Sequence, residues 1–450
     1  MSKVIKLKKG LNIPLKGKAE KVLVNPGLPG KFALKPLDFH GIRPKMLVRP
    51  DDAVKAGTPL FFDKYNPDVM FTSPVSGRVV AVNRGERRKI MEVVIKRDDR
   101  IDYENFGKAE PGSMEREAIV ERLLKSGLWP LLRQRPYGII PRPDDTPRSI
   151  FISGFDTAPL APDYDFLMQD SGNEFRAGID VLRKLTGGKV YLNLNGDYPP
   201  SDVFTGVNGV EVNYFSGPHP AGNVGVHIHH LDPVHKNGTV WYINPQDILV
   251  FGRLFLNGIV DFSRIVALTG SEVVNPRYYR TVMGASVENL VKDNIVEGKN
   301  RFISGNVLTG SKIPSDGFIG FYDSQVTVIP EGDHHRFMGW ASPGLNRFSA
   351  SRTFFSWLMP GKEYRHDTNY NGGERAFVIT GEYEKVLPMD LIPQQLVKAI
   401  MVEDIDKMEN LGIYEVVEED MALCEYVCTS KTEVQTILRS GIELMIKETS

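Results

Sequence analysis

The chain has 450 residues, 41% of them hydrophobic, which is enough for several domains with their own cores. Its 55 basic and 56 acidic residues leave a net charge of −1, which does not favour nucleic acid as a partner. No apolar signal-peptide core follows the basic N-terminus, and the most apolar long stretch, 248–260, is too short to cross a bilayer. We therefore expect a cytoplasmic chain without a transmembrane segment, still able to dock on a membrane protein.

Residues 1–100 predict a small β domain, because short apolar runs alternate with Gly and Pro turns. Two pseudo-repeats, 50–61 and 73–82, have the spacing of a barrel-sandwich domain of the biotinyl/lipoyl type. Carriers of that type hold a cofactor on a lysine at a hairpin tip, where Lys64 would lie. The residues after Lys64, Tyr-Asn-Pro, depart from the carrier pattern and favour a bare surface lysine.

A second domain, 101–260, reads as a Rossmann-like parallel sheet without a nucleotide motif. A strand at 150–152, a turn-rich loop, a helix starting at a Ser171–Glu174 capping box and a strand at 190–192 form one βαβ unit. Ligands of such sheets bind at the carboxyl ends of the strands, so the loop 154–165 is the first candidate site. Further predicted elements are a helix over 113–126, strands over 210–215 and 224–229, and a buried helix over 245–257.

The segment 127–138 is aromatic, basic and irregular. We favour a packed loop covering the sheet, with the wall of an anion or aromatic-ligand pocket as the alternative. Residues 261–332 predict a small α+β domain of the β-grasp (SLBB-like) kind, with strands at 265–268, 273–274, 302–303 and 326–329 around a helix at 286–293. The last domain, 333–450, combines an extended connector over 333–385 with helices over 392–411 and 431–447.

Two groups of residues carry side chains that could bind a metal. His227 and His229 would point the same way on a strand, yet no cysteine or carboxylate cluster completes a shell, so a solvated strand end is favoured. Cys424 and Cys428 are too few for an iron–sulfur or zinc site within one chain, so buried thiols are the default. We predict no metal site and no catalytic residue.

The chain also lacks every motif that would hold a nucleotide phosphate. Gly310-Ser311-Lys312 has no upstream glycine at P-loop spacing, and no G-x-G-x-x-G follows the first strand of the parallel sheet. The α/β domain thus has the outline of a nucleotide-binding fold without the visible means of binding a nucleotide.

Several separate segments carry a family resemblance, and they span essentially the whole chain: 73–77 with 87–90, 133–136, 155–160, 225–229 and 423–424. Together they resemble the A subunits of the Na+-translocating NADH:quinone oxidoreductases, the bacterial Nqr complexes. That family is similar to the C subunit of the Rnf complex and to the flavoprotein of respiratory complex I. In the flavoprotein a Gly-rich loop holds FMN; the corresponding stretch here, 133–138, carries bulky side chains.

The resemblance implies a peripheral subunit on the cytoplasmic face of the bacterial inner membrane. It implies a complex that oxidises NADH, reduces ubiquinone to ubiquinol and exports Na+, with the membrane-embedded B subunit as the chief partner. FMN, FAD and iron–sulfur clusters are expected on partner subunits, and no tightly bound cofactor on this chain. Two roles stay open for the aromatic and basic segments: contact with quinone or an inhibitor, and simple packing. The candidate contact residues are Phe39, His40, Arg43, Trp129, Arg133, Arg135 and Tyr137.

Two other functions stay open at this point. One is a pure scaffold that binds no small molecule. The other is a stand-alone protein that holds flavin in the Rossmann-like domain or an acyl or biotinyl group on Lys64. Quinone-dependent changes in the isolated chain would separate the first from the leading hypothesis, and a yellow colour or a mass shift on Lys64 would favour the second.

Overall fold

The computed structural model describes residues 4–236, 238–334, 338–339 and 342–449. The first strands are short and separated by turns, as the Gly and Pro pattern of the N-terminal region predicts. They are β1 (Val4–Lys6), β2 (Glu20–Val24), β3 (Lys31–Leu34), β4 (Pro44–Met46), β5 (Ala53–Val54), β6 (Pro59–Asp63), β7 (Met70–Thr72), β8 (Gly77–Arg84) and β9 (Ile90–Arg97). Strands β3-β9-β8-β5 form one sheet and β4-β6-β7 another, which together make the barrel-sandwich domain.

The α/β domain follows. Its elements are α1 (Arg116–Lys125), β10 (Arg133–Arg135), β11 (Ser149–Ser153), α2 (Tyr164–Leu167), α3 (Gly172–Leu185), β12 (Lys189–Asn195), α4 (Asp202–Thr205), β13 (Glu211–Ser216), α5 (Val224–Leu231), β14 (Val240–Ile243) and α6 (Pro245–Asn257). The sheet order is β1-β13-β12-β11-β14-β10, parallel except for the edge strand β10. The predicted βαβ unit is therefore confirmed as β11-α3-β12.

Both faces of this sheet are covered, because its central strands alternate large apolar side chains. Ile150 and Ile152 face the core built with α3 and α6, while Phe151 faces the side of α5. Helices α3 and α6 approach closely: a Cβ on Gly252 would lie 2.0 Å from the Glu174 carbonyl oxygen. The buried helix predicted over 245–257 is confirmed at those bounds, with Pro245 in its first turn.

The third domain is an α+β unit. It contains β15 (Ser263–Thr269), β16 (Arg277–Val282), α7 (Glu288–Val291), β17 (Asn300–Ser304), β18 (Ser311–Ile313) and β19 (Gln325–Pro330). The sheet order is β18-β17-β19-β15-β16-β2, so β2 of the N-terminal region closes one edge. The strand predicted at 273–274 is wrong, since Val273 makes only an isolated bridge to Ile295, and the helix predicted over 286–293 shrinks to α7.

The C-terminal region is helical, with α8 (Tyr383–Val386), α9 (Pro393–Met401), α10 (Ile405–Asn410), α11 (Glu418–Val427) and α12 (Val434–Thr449). The single helix predicted over 392–411 is wrong. Glu403 has a positive φ of 55°, and the Asp404 carboxylate accepts a hydrogen bond from the Lys407 amide, which starts α10 as a new helix. The connector predicted over 333–385 falls partly outside the described residues; its described part includes a 3₁₀ turn at Phe355–Leu358.

Three local predictions in the α/β domain are wrong. Residues 224–229 form helix α5 because β13 and β14 are parallel and separated by other strands, so the chain must cross over the sheet between them. Ser171 is the N-cap residue of α3, but the predicted capping box does not form, because its hydroxyl donates to the Gln169 carbonyl at 3.3 Å. The segment 127–138 contains β10, which pairs with β14 through Arg133–Arg135 and is thus part of the sheet rather than a cover on it.

Candidate functional site

A cleft of about 500 Å³ opens where the barrel-sandwich, α/β, SLBB-like and helical parts meet. It lies at the carboxyl ends of β11 and β14. The strand that follows β11 in the chain, β12, lies on one side of β11 in the sheet, and β14 lies on its other side. This strand-order reversal is where open α/β sheets bind ligands. The wall includes residues of all four parts: Asp38, Phe39, His40, Arg133, Asp156, Tyr164, Tyr242, Asn244, Asn306, Phe321, Tyr322, Asp323, Glu418, Glu419 and Arg439.

Arg133 is the cation at the centre of this wall. Its guanidinium carbon lies 4.5 Å from the ring centroid of Tyr242 and 4.4 Å from that of Tyr322. Burial alone would lower the pKa of Arg133, but the electrostatic field of Tyr242 and Glu419 outweighs it and raises that pKa. The buried Nε has no hydrogen-bond partner among the described residues. A charged planar donor held between two rings is therefore available to an oxygen of a ligand.

The Tyr322 ring is fixed in place from outside the cleft. Its hydroxyl donates to the Pro130 carbonyl at 2.6 Å, which ties the SLBB-like domain to the α/β domain. Phe39 and Phe321 pack with it: Phe39 lies 4.7 Å from Phe321 and 5.8 Å from Tyr322. The cleft consequently has one rigid aromatic side made by the barrel-sandwich and SLBB-like domains.

Two partly buried carboxylates, Asp38 and Asp156, face the cleft near this aromatic side. Burial raises the pKa of Asp38 to about 6, although Lys35 lowers it and the Phe321 amide donates to it at 2.8 Å. Burial also raises the pKa of Asp156, whose Oδ1 accepts a hydrogen bond from the Ala158 amide at 2.7 Å. In the loop after β11, a backbone amide of the loop therefore already donates to the loop's own carboxylate.

His40 stands at the outer rim. Its Nε2 lies 3.9 Å from Glu418 Oε1, and Arg439 donates to the same carboxylate, with Nη2 at 2.5 Å from Oε2. Burial first and Arg439 second lower the pKa of His40, so the ring is neutral near pH 7 and offers one donor and one acceptor.

The structure brings together three of the seven predicted contact residues: Phe39, His40 and Arg133 line the cleft. Trp129 does not, because its ring is fully buried at 5.4 Å from Trp241 and its Nε1 donates to the Pro141 carbonyl at 2.8 Å. Its place in the sheet core comes from the 3₁₀ turn that leads into β10.

Arg135 is fully buried next to the cleft but serves an ion network. Its Nη1 donates to Asp420 Oδ2 at 2.6 Å and its Nη2 to Glu419 Oε1 at 2.8 Å. Asp420 also accepts from the Val417 amide at 3.0 Å, which caps α11. Arg133 and Arg135 flank Gln134 on β10, and each has different partners. Arg133 faces the cleft, while Arg135 holds the helical part against the sheet.

The remaining two candidates lie outside the cleft wall. Arg43 is exposed just before β4, and its amide donates to Asp63 Oδ1 at the end of the paired strand β6 at 2.9 Å. Tyr137 packs edge-on against Tyr414 at 6.0 Å, and its carbonyl accepts from Arg439 Nη1 at 3.1 Å. Lys64 is exposed in the turn between β6 and β7, the hairpin-tip position expected for it.

The histidines predicted to share a strand lie on helix α5 and have different partners. His227 is buried against Phe215, His229 Nδ1 donates to Glu415 Oε2 at 2.7 Å, and His230 Nε2 donates to the Pro388 carbonyl at 3.1 Å. Cys424 and Cys428 are free and buried, which confirms the prediction of buried thiols. Within the described part of the chain, no group of three His, Cys, Asp or Glu residues is placed to hold a metal ion.

Only part of this wall is predictable from the sequence. Asp156 and Tyr164 lie in the predicted loop 154–165, but Tyr242, Tyr322 and Glu418 were not predicted. The signal for Tyr242 was present, since it stands one residue before the end of the apolar run 240–243. Nothing local marked Tyr322 or Glu418, which reach the cleft from other domains. Over the described residues, no helix is both long and apolar enough to cross a membrane.

The arrangement defines a class of chain: barrel-sandwich, Rossmann-like and SLBB domains, with a helical C-terminus, around one shared cleft. Family models match the same divisions, as the NqrA N-terminal barrel-sandwich hybrid domain over 5–98, the NqrA second alpha/beta domain over 114–260 and the NQRA C-terminal domain over 265–315. The chain belongs to the NqrA family, the A subunits of the Na+-translocating NADH-quinone reductases.

Curated relatives agree over the full length. The A subunit of the Na+-translocating NADH-quinone reductase of Pasteurella multocida is 42% identical over 451 residues, covering 99% of this chain and 100% of that one. The equivalent chain of Saccharophagus degradans is 41% identical with the same coverages. A chain of an NAD+-reducing NiFe-hydrogenase covers 77% of this chain and 67% of its own length at 12% identity, with a TM-score of 0.39 that is too low to inform fold or function.

Proposed function

We propose that this chain is the peripheral subunit through which a Na+-translocating NADH:quinone reductase contacts its quinone, with the ring in the four-domain cleft. The complex would pass electrons from NADH to ubiquinone, form ubiquinol and export Na+. The chain is a component of that enzyme and is not catalytic alone, since its relatives are named as one subunit of the reductase. The supporting observation is Arg133, clamped between Tyr242 and Tyr322, whose buried Nε has no acceptor among the described residues.

The chemistry of a quinone ring matches this wall. A planar ring with two carbonyl oxygens needs an aromatic surface and hydrogen-bond donors at its edge. Phe39, Phe321 and Tyr322 supply the surface, while Arg133 and the neutral His40 supply donors. The long isoprenoid tail needs an apolar channel, and a membrane subunit is the better source of one. The ring would thus sit at a junction between this chain and its membrane partner.

The same loop argues against a resident flavin nucleotide. A phosphate at the end of β11 would require free backbone amides, but the Ala158 amide already donates to Asp156 at 2.7 Å. The Asp156 carboxyl group, when ionised, also repels a phosphate at that point. In this proposal FMN, FAD and iron–sulfur clusters belong to partner subunits. Docking is assigned chiefly to the membrane-embedded B subunit, at the cytoplasmic face of the bacterial inner membrane.

The test is titration of the purified chain with a short-chain ubiquinone, followed by calorimetry and by the fluorescence of Trp241, which adjoins Tyr242 in β14. We expect saturable binding. Replacing Arg133 by Met should raise Kd about tenfold or more, because a charged donor to a buried oxygen is lost. The matched control is Arg142→Met, an exposed arginine of the same domain outside the cleft, which should leave Kd unchanged.

Two results would contradict the proposal. One is absence of saturable binding by the wild-type chain, which would leave a scaffold and move quinone chemistry to the membrane partner. The other is equal Kd values for Arg133→Met and Arg142→Met, which would place any bound quinone elsewhere on the surface.

A further inference from the structure

Residues 342–362, here called the aromatic excursion, expose an unusual amount of apolar surface. Leu345 is 57% exposed, Phe355 46%, Trp357 51% and Leu358 58%. Phe355, Trp357 and Leu358 lie on a single 3₁₀ turn, while Ser356 between them is buried. Large apolar side chains clustered on a surface mark an interaction site more often than isolated ones do.

Hydrogen bonds fold the aromatic excursion onto itself. The Phe355 amide donates to the Pro343 carbonyl at 3.1 Å, and Lys362 Nζ donates to the Leu345 carbonyl at 2.7 Å. These bonds bring the two ends of the segment side by side, so Leu345 and the 3₁₀ turn belong to one small unit. Its exit is anchored at buried Tyr364, whose amide donates to the Pro14 carbonyl at 2.8 Å. The apolar side chains are therefore presented by an ordered element.

The charge of this segment is one-sided. No Asp or Glu occurs between Asp333 and Glu363, although the whole chain carries a net charge of −1. Within the aromatic excursion lie Arg347, Arg352 and Lys362, and the Arg352 guanidinium stands 5.3 Å from the Trp357 ring centroid. Exposed Trp, Phe and Leu side chains next to Arg and Lys are the combination that settles at a membrane–water interface.

We infer that the aromatic excursion docks on an anionic lipid surface. Trp357, Phe355 and Leu358 would enter the boundary between headgroups and acyl chains, and the three cations would face lipid phosphates. A membrane protein partner fits this surface less well, because cytoplasmic loops of membrane proteins carry an excess of Lys and Arg and would repel it. This inference deepens the docking part of the proposed function. It rests on that proposal for the membrane face on which the chain docks, and it does not depend on quinone binding.

The experiment is flotation of the full-length chain with vesicles of equimolar phosphatidylcholine and phosphatidylglycerol, compared with phosphatidylcholine alone. We expect saturable binding to the anionic vesicles that weakens as salt rises. Arg352→Glu should weaken it about twentyfold, since one attraction is lost and one repulsion gained. The double variant Trp357→Ser with Leu358→Ser should weaken it about tenfold or more.

Tryptophan emission gives a second readout of the same event. In a Trp340→Phe background the remaining tryptophans are Trp129, Trp241 and Trp357, and the first two are already buried. Emission should therefore shift to the blue when Trp357 enters the lipid boundary. An unchanged spectrum at saturating anionic vesicles would contradict insertion of this side chain.

Two control variants match these changes elsewhere on the surface. Arg280→Glu reverses an exposed arginine on β16, and Val402→Ser removes a side chain that is 71% exposed. Both should bind vesicles like the wild type, and all variants should keep the wild-type circular dichroism.

Three results would overturn the inference. The first is no vesicle binding by the wild-type chain, and the second is an equal loss of vesicle binding in the control variants. The third is that the aromatic-excursion variants bind vesicles normally but no longer assemble with the detergent-solubilised membrane subunits. The last result would make this surface a protein contact. The quinone titration contains no vesicles, so its outcome is independent of this one.

Discussion

His227 is an imidazole enclosed by apolar groups, with its ring centroid 4.3 Å from Phe215 and 5.6 Å from Phe155. Its Nε2 donates to the Ala221 carbonyl at 2.8 Å. Burial lowers the pKa of His227 to about 3, against 6.5 for an ordinary histidine. Between these two pH values the unfolded chain binds a proton that the native chain does not. The contribution to stability is thus complete above about pH 6.5 and is lost as the pH falls toward 3.

Replacement of His227 by Gln should remove this pH dependence. The difference in apparent free energy of unfolding between wild type and variant should change by about 1.4 kcal/mol per pH unit between pH 6 and pH 4. Urea unfolding at a series of pH values measures it. The exposed His235→Gln is the control and should track the wild type. Parallel curves for wild type and His227→Gln would show that the buried ring does not resist protonation.

At the scale of elements, β10 and α11 are joined by the Arg135–Asp420 pair. Both side chains are buried, and Asp420 also caps α11 through the Val417 amide. A buried charge pair contributes little net stability relative to an apolar pair, but removal of one partner leaves the other charge buried and unpaired. The pair therefore links α11 to β10 beside the cleft, and neither charge can be removed alone without cost.

Arg135→Met should lower the apparent free energy of unfolding by about 3–5 kcal/mol, because Asp420 remains buried without its partner. Adding Asp420→Asn should restore part of that loss, so the double-variant cycle should give a coupling of about 1–3 kcal/mol. Thermal and urea unfolding provide the values. Lys125→Met, which breaks the exposed pair with Glu121, should cost less than about 1 kcal/mol. Strictly additive effects of the Arg135 and Asp420 changes would rule out the coupling.

At the scale of the whole molecule, residues 4–24 tie the parts together. Strand β1 adds to the edge of the α/β sheet, β2 adds to the edge of the SLBB-like sheet, and Leu7, Ile13 and Leu15 between them pack in the core of the helical part. Gly17 passes so close to Gly270 that its carbonyl accepts the Gly270 amide at 2.9 Å. A Cβ on Gly17 would lie 2.2 Å from the Gly270 carbonyl oxygen.

Gly17→Ala should therefore lower the free energy of unfolding by more than the backbone strain of a positive φ alone would. Gly17 has φ +103°, and the control Gly27 has φ +79° with nothing within 4 Å of its added Cβ. Gly27→Ala should cost about 1 kcal/mol from backbone strain, and Gly17→Ala at least about 3 kcal/mol. The thermal midpoints of the two variants measure the difference. Hydrogen exchange should also rise at β16 in Gly17→Ala, and equal midpoints would mean that this crossing is loose.

Local patterns were sufficient where an element's own residues carried the signal. Apolar periodicity marks the unit β11-α3-β12, and a proline marks the start of helix α6; these elements form as predicted. Helix α5 alternates apolar and polar residues like a strand, and only the crossover between parallel strands makes it a helix. The same holds for β10, whose three residues pair with β14 although their sequence reads as a loop.

The sequence by itself determined the family, the order of the domains and the loop after β11 as part of a cleft, because each depends on residues that are close along the chain. Only the tertiary structure decided which arginine meets that cleft and which is buried in an ion network, since Arg133 and Arg135 stand two residues apart on β10 and differ only in the partners that surround them. It also brought Tyr322 and Glu418 to the same wall. Contacts of such sequence separation arise from the packing of whole domains, which no local pattern encodes.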